Sequence, residues 1–344
     1  MMVKTAVLLM NVGSPDEPTV PAVRKYLTEF LNDERVIDLP YLLRKFLVNA
    51  IIIPFRVKNS TQLYRQLWTK KGSPLIYISD ELKQKLQEEL GNDYEVFMGM
   101  RYGNPGYKTA LAEIKKKGYE KLVLLPLFPH HAMSTTETSL VAAQKEIKKL
   151  GMKVEVTEIG QFYEDPKFID AFAERIQQYN LQDYDHIIFS YHGLPNRHLE
   201  KCHPGIKVEN CSCQNAMPEH GAMCYRATVY ETSRLLAAKL NLQPEQYSVG
   251  FQSRLSKNWL TPFTDELLTQ KLAEGKKKIL IAAPSFVTDC LETTLELGVE
   301  YGEEFLEKGG EKLQLVDSLN TEKSWVETLA YLVHKGVSEK QKNA

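Results

Sequence analysis

The sequence predicts an α/β protein built from two similar lobes, each containing a parallel sheet. A chain of 344 residues is too long for one core of the usual size and favours two domains of roughly 150 residues each. Short apolar runs alternate along the chain with longer amphipathic stretches, and one stretch of the first half resembles a stretch of the second. Continuous apolar runs are typical of parallel strands that are covered on both faces.

Six apolar runs are predicted as strands, and helical patterns lie between them. The predicted strands are residues 5–12, 94–100, 121–128, 186–191, 247–253 and 277–286. The clearest predicted helices are residues 80–90, 107–118, 165–179 and 225–240. Strands that alternate with helices in this way indicate the doubly wound α/β class.

The internal repeat sets the expected domain boundary. The segment "KLVLLPLFPHHAMSTTETSL" at 121–140 parallels "KKILIAAPSFVTDCLETTLEL" at 277–297, each with a basic start, an apolar run, a Pro and a Phe. We therefore expect an N-terminal lobe at 1–158, a C-terminal lobe at 159–318, and a C-terminal helix with a tail at 319–344.

Composition and charge exclude several classes of function. Hydrophobic residues make up 43% and charged residues 25% of the chain, which is ordinary for a globular protein. The net charge of −1 provides no basic field for nucleic acid, so no nucleic-acid partner is expected. No G-x-G-x-x-G or Walker sequence follows the first strand, which argues against a nucleotide-binding protein. The sequence predicts no particular oligomeric state.

The N-terminal run and one later apolar segment decide the expected location. The run after Lys4 is short and lacks a cleavage site, so it predicts a first strand and a cytoplasmic, reducing location. The segment Leu39 to Phe55 is interrupted by Arg44 and Lys45 and is shorter than a membrane span. It is interpreted first as a core helix, and alternatively as an exposed lip that touches an apolar ligand or the inner membrane peripherally.

Candidate ligand-binding residues are those that follow the predicted strands, because ligands of such folds bind at the carboxyl ends of the strands. In "FSYHGLP", His192 ends a strand before Gly193, and a neutral imidazole there could accept a proton or bind a metal. Position alone favours a simpler interpretation, in which the histidine only has its hydrogen bonds satisfied at a strand end.

Acidic residues dominate "TDCLETTLEL". Asp289 and Glu292 have the spacing of a helix capping box. An acidic row at four-residue spacing is formed by Glu292, Glu296 and Glu300. An adjacent apolar row, which is expected to hold this helix against the core, is formed by Leu291, Leu295 and Val299. If this row lines a cleft, its carboxylates could attract a divalent cation and carry protons. If the row is solvated, it needs no function.

Two further loops carry residues suited to a planar, anionic ligand. Arg101 and Tyr102 stand at a strand end in "GMRYGNP", where arginine suits a carboxylate or forms a surface ion pair. Arg254 and Trp259 lie in "FQSRLSKNWLTPFTDE", where the Trp could stack on a ligand or belong to the core. Together these signals describe an apolar, aromatic cleft with a base, acids and an anion-binding residue.

At this point the residue blocks resemble a known family. The blocks "LLMNVGSP", "GMRYGNP", "MSTTETSL", "FSYHGLP", "FQSRLSKNWLTP" and "FVTDCLETTLELGVEY" are similar to those of ferrochelatases, in the same order, over roughly residues 4–335. The resemblance implies two Rossmann-like lobes and insertion of ferrous iron into protoporphyrin, the last step of heme synthesis in many organisms. The alternatives are a chelatase for coproporphyrin or another tetrapyrrole, and a non-catalytic iron–sulfur sensor on this scaffold.

The resemblance also assigns roles by position. It implies His192, Glu292 and Glu296 as catalytic residues, with His192 and Glu292 also handling the substrate iron. The implied porphyrin-binding residues are Val12, Arg101, Tyr102 and Trp259. Residues 39–55 match the hydrophobic lip of the pocket. Cys290 stands where the family often has a metal-site histidine, which leaves the role of that position open.

Four of the five cysteines are concentrated in one segment, with the spacing C-x8-C-x-C-x10-C from Cys202 to Cys224. In a reducing compartment such a cluster indicates a metal site. Zinc sites favour C-x2-4-C pairs, which this spacing lacks, although His198, His203 and His220 keep a mixed zinc site open.

Many ferrochelatases carry a 2Fe–2S cluster, usually with one ligand in the first lobe and three near the C-terminus. Here Met133 occupies the first-lobe position and the tail has no cysteine. Some bacterial members resemble this chain in holding all four cysteines internally. The resemblance therefore implies a structural or regulatory 2Fe–2S cluster, with zinc as the alternative occupant. Its expected ligands are Cys202, Cys211, Cys213 and Cys224.

Overall fold

The computed structural model describes residues 5–254 and 256–343, and the chain divides into two compact units. The first unit comprises the chain up to Phe128, Ala132–Gln161 and the segment from Asn320 onward. The second unit comprises Pro129–His131 and Phe162–Leu319. Three residues of the first half of the sequence, 129–131, therefore belong to the second unit.

The first unit contains a four-stranded parallel sheet of order β2-β1-β3-β4. Its strands are β1 (Thr5–Ser14), β2 (Tyr94–Gly103), β3 (Lys121–Pro126) and β4 (Glu155–Glu158). Its helices in this part of the chain are α1 (Val20–Leu31), α2 (Tyr41–Phe46), α3 (Ile53–Leu67), α4 (Pro74–Leu90), α5 (Tyr107–Lys117) and α6 (Thr138–Lys149). Two short π-helices, Leu47–Ile52 and Met133–Glu137, precede α3 and α6, and Gly91–Asp93 is a 3-10 turn.

The second unit has the same topology, with a parallel sheet of order β6-β5-β7-β8. Its strands are β5 (His186–His192), β6 (Tyr247–Gln252), β7 (Lys278–Ala282) and β8 (Lys312–Leu315). Its helices are α7 (Pro166–Gln177), α8 (Asn196–Cys202), α9 (Tyr225–Lys239), α10 (Thr264–Ala273), the π-helix Glu292–Glu300 and α11 (Tyr301–Glu307). Its 3-10 turns are Leu181–Asp183, Val208–Asn210, Gly221–Met223 and Pro244–Gln246. The last helix, α12 (Lys323–Asn343), returns to the first unit.

The prediction of two similar α/β lobes with parallel sheets is confirmed. The two repeat segments occupy equivalent places, since β3 and β7 are each third in their sheets and each is followed by a π-helix. Two strands escaped the prediction because β4 and β8 are four-residue edge strands without a continuous apolar run. The run predicted at 277–286 ends early, at Ala282, because Pro284 cannot donate a ladder hydrogen bond.

The central strands form the cores of the two units. In the first unit, Leu8 and Met10 of β1 are fully buried against Leu111 and Ile114 of α5. A second set packs Ile188, Ile279 and Ile281 of β5 and β7 against helices of the second unit. Burying such side chains contributes about 1.5–3 kcal/mol each, so the apolar runs hold the strand ends at fixed positions.

The core-helix interpretation of residues 39–55 is wrong. The segment forms α2, a π-helix and the start of α3. Val48 and Ile53 are buried, but six other large apolar side chains are exposed. The exposed residues are Tyr41, Leu42, Leu43, Phe46, Ile51 and Phe55, with Leu42 80% and Phe55 84% exposed. Arg44 instead points inward and donates from Nη1 to the carbonyl of Leu39 at 2.8 Å. Among the described residues, no helix is both long and apolar enough to cross a bilayer.

Candidate active site

In the second unit, three neighbouring strands deliver the candidate catalytic residues to one edge of the sheet. His192 ends β5, Ser253 follows β6, and the π-helix carrying Glu292 and Glu296 follows β7. Because the strands are parallel, their carboxyl ends meet at the same edge. The sheet therefore gathers an imidazole, a hydroxyl and two carboxylates from three distant parts of the sequence.

The imidazole of His192 has a defined tautomer. Its Nδ1 lies 2.7 Å from the carbonyl oxygen of Gly193. A carbonyl can only accept, so Nδ1 carries the proton and donates it to Gly193. In the neutral ring, Nε2 then holds the lone pair, which is the form required of a proton acceptor.

The residue after His192 must be glycine because of a close backbone approach. The Gly193 N–H donates to the carbonyl of Gln252 at 2.8 Å. A Cβ atom on Gly193 would lie 2.8 Å from that carbonyl oxygen and 3.3 Å from Cε3 of Trp259. The ring of Trp259 is centred 6.4 Å from that of His192 and tilted by 50°. Trp259 is half-buried beside the histidine and is not a core residue.

The acidic segment is a π-helix, not the capped α-helix that the capping-box interpretation required. No side chain caps its N-terminus, and the carboxylate of Asp289 instead accepts the N–H of Ser318 at 3.0 Å. The carboxylate of Glu296 accepts a hydrogen bond from the hydroxyl of Ser253, which has a left-handed φ of 62°. π-Helices are rare and occur frequently at functional sites.

The expected apolar row along this helix is also wrong in part. Leu295 is buried, but Val299 is 41% exposed, and Leu297 is fully buried in its place. Hydrogen bonds from i to i+5 change the angular spacing of side chains, so a four-residue row does not stay on the core face. Within the acidic row, Glu292 and Glu296 are half-buried, whereas Glu300 is exposed.

Cys290 is a buried thiol beside the acidic row. Its side chain is 8% exposed, and burial raises its pKa well above the ordinary value for cysteine. The carboxylate of Glu292, to which the thiol is hydrogen-bonded, raises that pKa further. Cys290 is therefore protonated at neutral pH and is a weak metal ligand in this state.

In the first unit, Arg101 and Tyr102 are bound to a buried carboxylate that the sequence analysis missed. The carboxylate of Asp33 accepts from Tyr102 at 2.9 Å and from Thr138 at 2.6 Å, and pairs with Arg101. The guanidinium of Arg101 also donates from Nε to Thr138 at 2.9 Å and stacks 4.5 Å from the centre of the Tyr102 ring. No sequence pattern marks Asp33, because it lies 68 positions from Arg101 and follows no strand.

Val12 and Arg254, the remaining predicted residues near strand ends, each contact neighbouring side chains. Val12 is half-buried and packs against the apolar cluster that contains Tyr102. Arg254 pairs with Asp265 at 2.9 Å and lies 4.2 Å from the centre of the Phe263 ring. Ser253 is the last residue of the strand predicted at 247–253, and the sequence assigned it no role; in the structure it follows β6, which ends at Gln252.

The cysteine segment is held against α9 by two arginines. Arg226 donates to the carbonyl of Val208 at 3.0 Å, and Arg234 donates to the carbonyl of Cys213 at 3.1 Å. Within the described ranges, which include all five cysteines, no disulfide is present. The Sγ of Cys211 lies 3.4 Å from Nε2 of His220.

Neighbouring thiols of this segment raise the pKa values of Cys213 and Cys224. Burial raises the pKa of Cys213 to about 12, and Cys211 and Cys224 add to the shift. Burial also raises the pKa of Cys224 to about 11, with further contributions from Cys211 and Cys202. The four thiols thus share one neighbourhood and have the donor chemistry of a thiolate metal site. They are not closed around a common centre: over residues 5–254 and 256–343, no three His, Cys, Asp or Glu side chains form a metal-holding group.

Comparison with solved structures confirms the fold. The chain is similar to SirB from Bacillus subtilis with Fe3+, with a TM-score of 0.56, 10% identity and coverage of 98% of both chains. It is also similar to the sirohydrochlorin chelatase SirB from Bacillus subtilis subspecies spizizenii in complex with cobalt, with a TM-score of 0.55 and 8% identity over 98% of this chain and 97% of that one.

Comparison of sequences identifies the family. A family model described as Ferrochelatase matches residues 4–337. A ferrochelatase of Coxiella burnetii (strain Dugway 5J108-111) is 43% identical over 341 residues, which cover 97% of this chain and 94% of the relative. A ferrochelatase of Legionella pneumophila (strain Paris) is 39% identical over 337 residues, which cover 97% of this chain and all of the relative. Because the match spans both units and includes every block at the sheet edges, the chain belongs to the ferrochelatase family.

Proposed function

We propose that this chain inserts Fe2+ into protoporphyrin IX to form protoheme, with release of two protons, as a lyase-class ferrochelatase. The observation that carries the proposal is the tautomer of His192. Its Nδ1–H donates a hydrogen bond to the carbonyl of Gly193, and this bond fixes the orientation of the ring. The Nε2 lone pair is therefore available as a base at the sheet edge that also holds Glu292 and Glu296.

The reaction replaces two pyrrole N–H protons with one metal ion, so it needs a base and a route for charge. Nε2 of His192 takes a pyrrole proton, and the Gly193 carbonyl then stabilises the imidazolium through Nδ1–H. The carboxylates of Glu292 and Glu296 attract the incoming Fe2+ and accept protons that leave. The hydroxyl of Ser253 holds Glu296 in place for this role.

Porphyrin-contacting residues are proposed for each unit by itself. Trp259 would stack on the macrocycle beside His192. Within the first unit, Val12, Arg101 and Tyr102 are proposed to form a wall that contacts porphyrin. Because Asp33 already neutralises Arg101, the role proposed for this arginine is to shape the wall, and not to pair with a porphyrin carboxylate.

Anaerobic metallation of free porphyrins by the purified protein tests the function. We expect Fe2+-dependent loss of porphyrin fluorescence, faster with protoporphyrin IX than with coproporphyrin III at equal concentrations. A faster reaction with coproporphyrin would reassign the substrate. Porphyrin binding without any metallation would contradict the enzyme and favour a sensor on the same scaffold.

We further propose that Cys202, Cys211, Cys213 and Cys224 hold a 2Fe–2S cluster with a structural or regulatory role. When bound, such a cluster would supply a redox-active centre outside the insertion chemistry. Support comes from the four mutually interacting thiols and from α9, whose arginines hold the segment through its backbone carbonyls. Closing the thiols around a centre requires rearrangement within 202–224, since their described positions form no metal-holding group.

Cys211→Ser is expected to remove the cluster. Protein purified without oxygen should show broad visible absorption that dithionite bleaches, and the variant should lose it together with its iron and sulfide. Cys290→Ser is the matched control, because Cys290 is also buried but lies outside the segment. A colourless wild-type protein containing zinc would contradict the cluster, and a colourless but fully active and stable variant would contradict a structural role.

The exposed apolar surface of residues 41–55 is proposed to make peripheral contact with a membrane. Exposed Arg56 and Lys58 lie beside it and would favour anionic lipid. The double variant Leu42→Ser/Phe55→Ser should bind phosphatidylglycerol-containing vesicles about tenfold more weakly in a sedimentation assay, because apolar burial drives such binding. Leu306→Ser, which removes a half-exposed leucine elsewhere, should bind normally. Equal binding by all three proteins would exclude this surface.

A further inference from the structure

We infer that His130, Ser285 and Tyr225 act as positioning residues that fix the main chain of the catalytic His192 through a largely buried network of hydrogen bonds. The inference rests on the proposed role of His192, and none of the three is among the residues that the resemblance implicates. His130 belongs to the three-residue segment that the first half of the sequence contributes to the second unit, so all members lie in one unit.

The backbone N–H of His192 lies beyond the described pairing of β5 with β7. The N–H of Gly193 donates to β6 through the carbonyl of Gln252. Neighbouring residues of a strand direct their N–H groups to opposite sides, so the N–H of His192 faces β7. Pairing of β5 with β7 ends at Phe189 and Ala282, three residues earlier. The phenol of Tyr225 is hydrogen-bonded to the backbone of His192, and we assign this bond to the His192 N–H as donor and the phenol oxygen as acceptor.

The hydrogen bonds of Thr232, at the end of the network farthest from His192, fix the tautomer of His130. The hydroxyl of Thr232 donates its one hydrogen to the carbonyl of Tyr163 at 2.8 Å. The same hydroxyl lies 2.9 Å from Nε2 of His130 and must therefore accept there. His130 accordingly carries its proton on Nε2, and its Nδ1 is an acceptor.

That tautomer sets the direction of the remaining hydrogen bonds. The hydroxyl of Ser285 lies 3.0 Å from Nδ1 of His130 and donates to it. Ser285 then accepts from the hydroxyl of Tyr225 at 3.4 Å, the longest link of the chain. Tyr225 has its oxygen available for the His192 N–H, so each hydroxyl both donates and accepts. Reversing any link would place two donors or two acceptors opposite each other.

Burial makes this arrangement rigid. His130 is 2% and Tyr225 7% exposed, and the rings of Tyr163, Tyr191 and Tyr225 surround the imidazole at 5.5–6.3 Å between centroids. Burial lowers the pKa of His130 to about 3, so the ring stays neutral and keeps one donor and one acceptor. A fully satisfied buried network specifies a single geometry, here for the strand end that carries the catalytic base.

The direct test is hydrogen exchange at the amide of His192. Tyr225→Phe removes the acceptor, and we expect exchange at this amide to be at least about tenfold faster. Tyr191→Phe is the matched control, because it removes another buried phenol, bonded to Ser233 at 2.8 Å, without touching the chain. Unchanged exchange at His192 in Tyr225→Phe overturns the inference, whether or not the protein metallates porphyrin.

Activity gives the second readout. Tyr225→Phe should lower kcat about tenfold with an unchanged Kd for porphyrin, whereas Tyr191→Phe should stay within twofold of the wild type. His130→Gln, which keeps one donor and one acceptor, should retain more activity than His130→Leu. If Tyr225→Phe does not fold, Ser285→Ala breaks the same chain at a partly exposed residue. Equal losses of kcat in the two tyrosine variants would mean that the hydroxyls affect only stability, and would overturn the inference.

Discussion

His192→Ala should lower kcat for porphyrin metallation by about a hundred- to ten-thousandfold, the usual contribution of a positioned general base. The loss follows from the removal of the Nε2 lone pair, which the hydrogen bond from Nδ1 to Gly193 keeps oriented. The Kd for porphyrin should change little, because stacking and burial of the macrocycle do not depend on this imidazole. Anaerobic initial rates give kcat, and a separate fluorescence titration gives the Kd for porphyrin.

A second histidine variant separates loss of the base from a general effect of removing an imidazole. His334 is exposed on α12 in the first unit and contacts Tyr94, so His334→Ala should retain wild-type kcat. If His192→Ala kept more than a tenth of the wild-type kcat, another group would have to remove the pyrrole protons. The carboxylates of Glu292 and Glu296 would then be the first candidates.

The sequence was sufficient to predict the central strands and the candidate site residues that follow them. The runs that became β1 and β5 are mainly apolar because both faces of the sheet are covered, so pattern and environment agree. The position of His192 follows from this pattern, since it is the first residue after the run predicted at 186–191. The short edge strands lack this signal, because partly exposed residues need no apolar side chains.

Three features of the two units depend on tertiary structure and have no local signal. The apolar residues of the lip have the composition of a core helix, and only their position in the fold leaves them exposed. The π-helix Glu292–Glu300 differs from an α-helix by one residue in hydrogen-bond spacing, which its sequence does not encode in isolation. Likewise, Asp33 and Arg101 meet because α1 ends beside β2, although 68 residues separate them.

Asp33→Asn should destabilise the first unit by about 3 kcal/mol, the lower end of the range for breaking a buried ion pair. The side chain of Asp33 is 4% exposed, and its carboxylate accepts from Thr138, Tyr102 and the N–H of Arg35. An amide would present N–H groups to these donors and leave the charge of Arg101 uncompensated. Urea unfolding at pH 7 should show the loss as a lower midpoint, and KM for porphyrin should rise because Arg101 and Tyr102 lose their anchor.

The pH dependence of this effect identifies the charge as its source. Burial alone would raise the pKa of Asp33, but the hydrogen bonds from Thr138 and the Arg35 N–H, with the charge of Arg101, outweigh it and hold the pKa below its ordinary value. A depressed carboxylate pKa stabilises the folded state above the ordinary pKa, about 3.9, and this stabilisation is lost as pH falls through the folded pKa. The difference between wild type and Asp33→Asn should therefore be constant from pH 7 to about 5 and shrink in more acidic solution.

A surface carboxylate provides the comparison for this prediction. Asp80 on α4 pairs with Lys83 at 2.5 Å, and both side chains are partly exposed to solvent, so Asp80→Asn should change stability by less than about 1 kcal/mol. A loss in Asp33→Asn that stayed constant into strong acid would point to packing and not to the ionised carboxylate. The same result would remove the reason for placing Arg101 in the wall of the pocket, because its orientation would no longer depend on a buried anion.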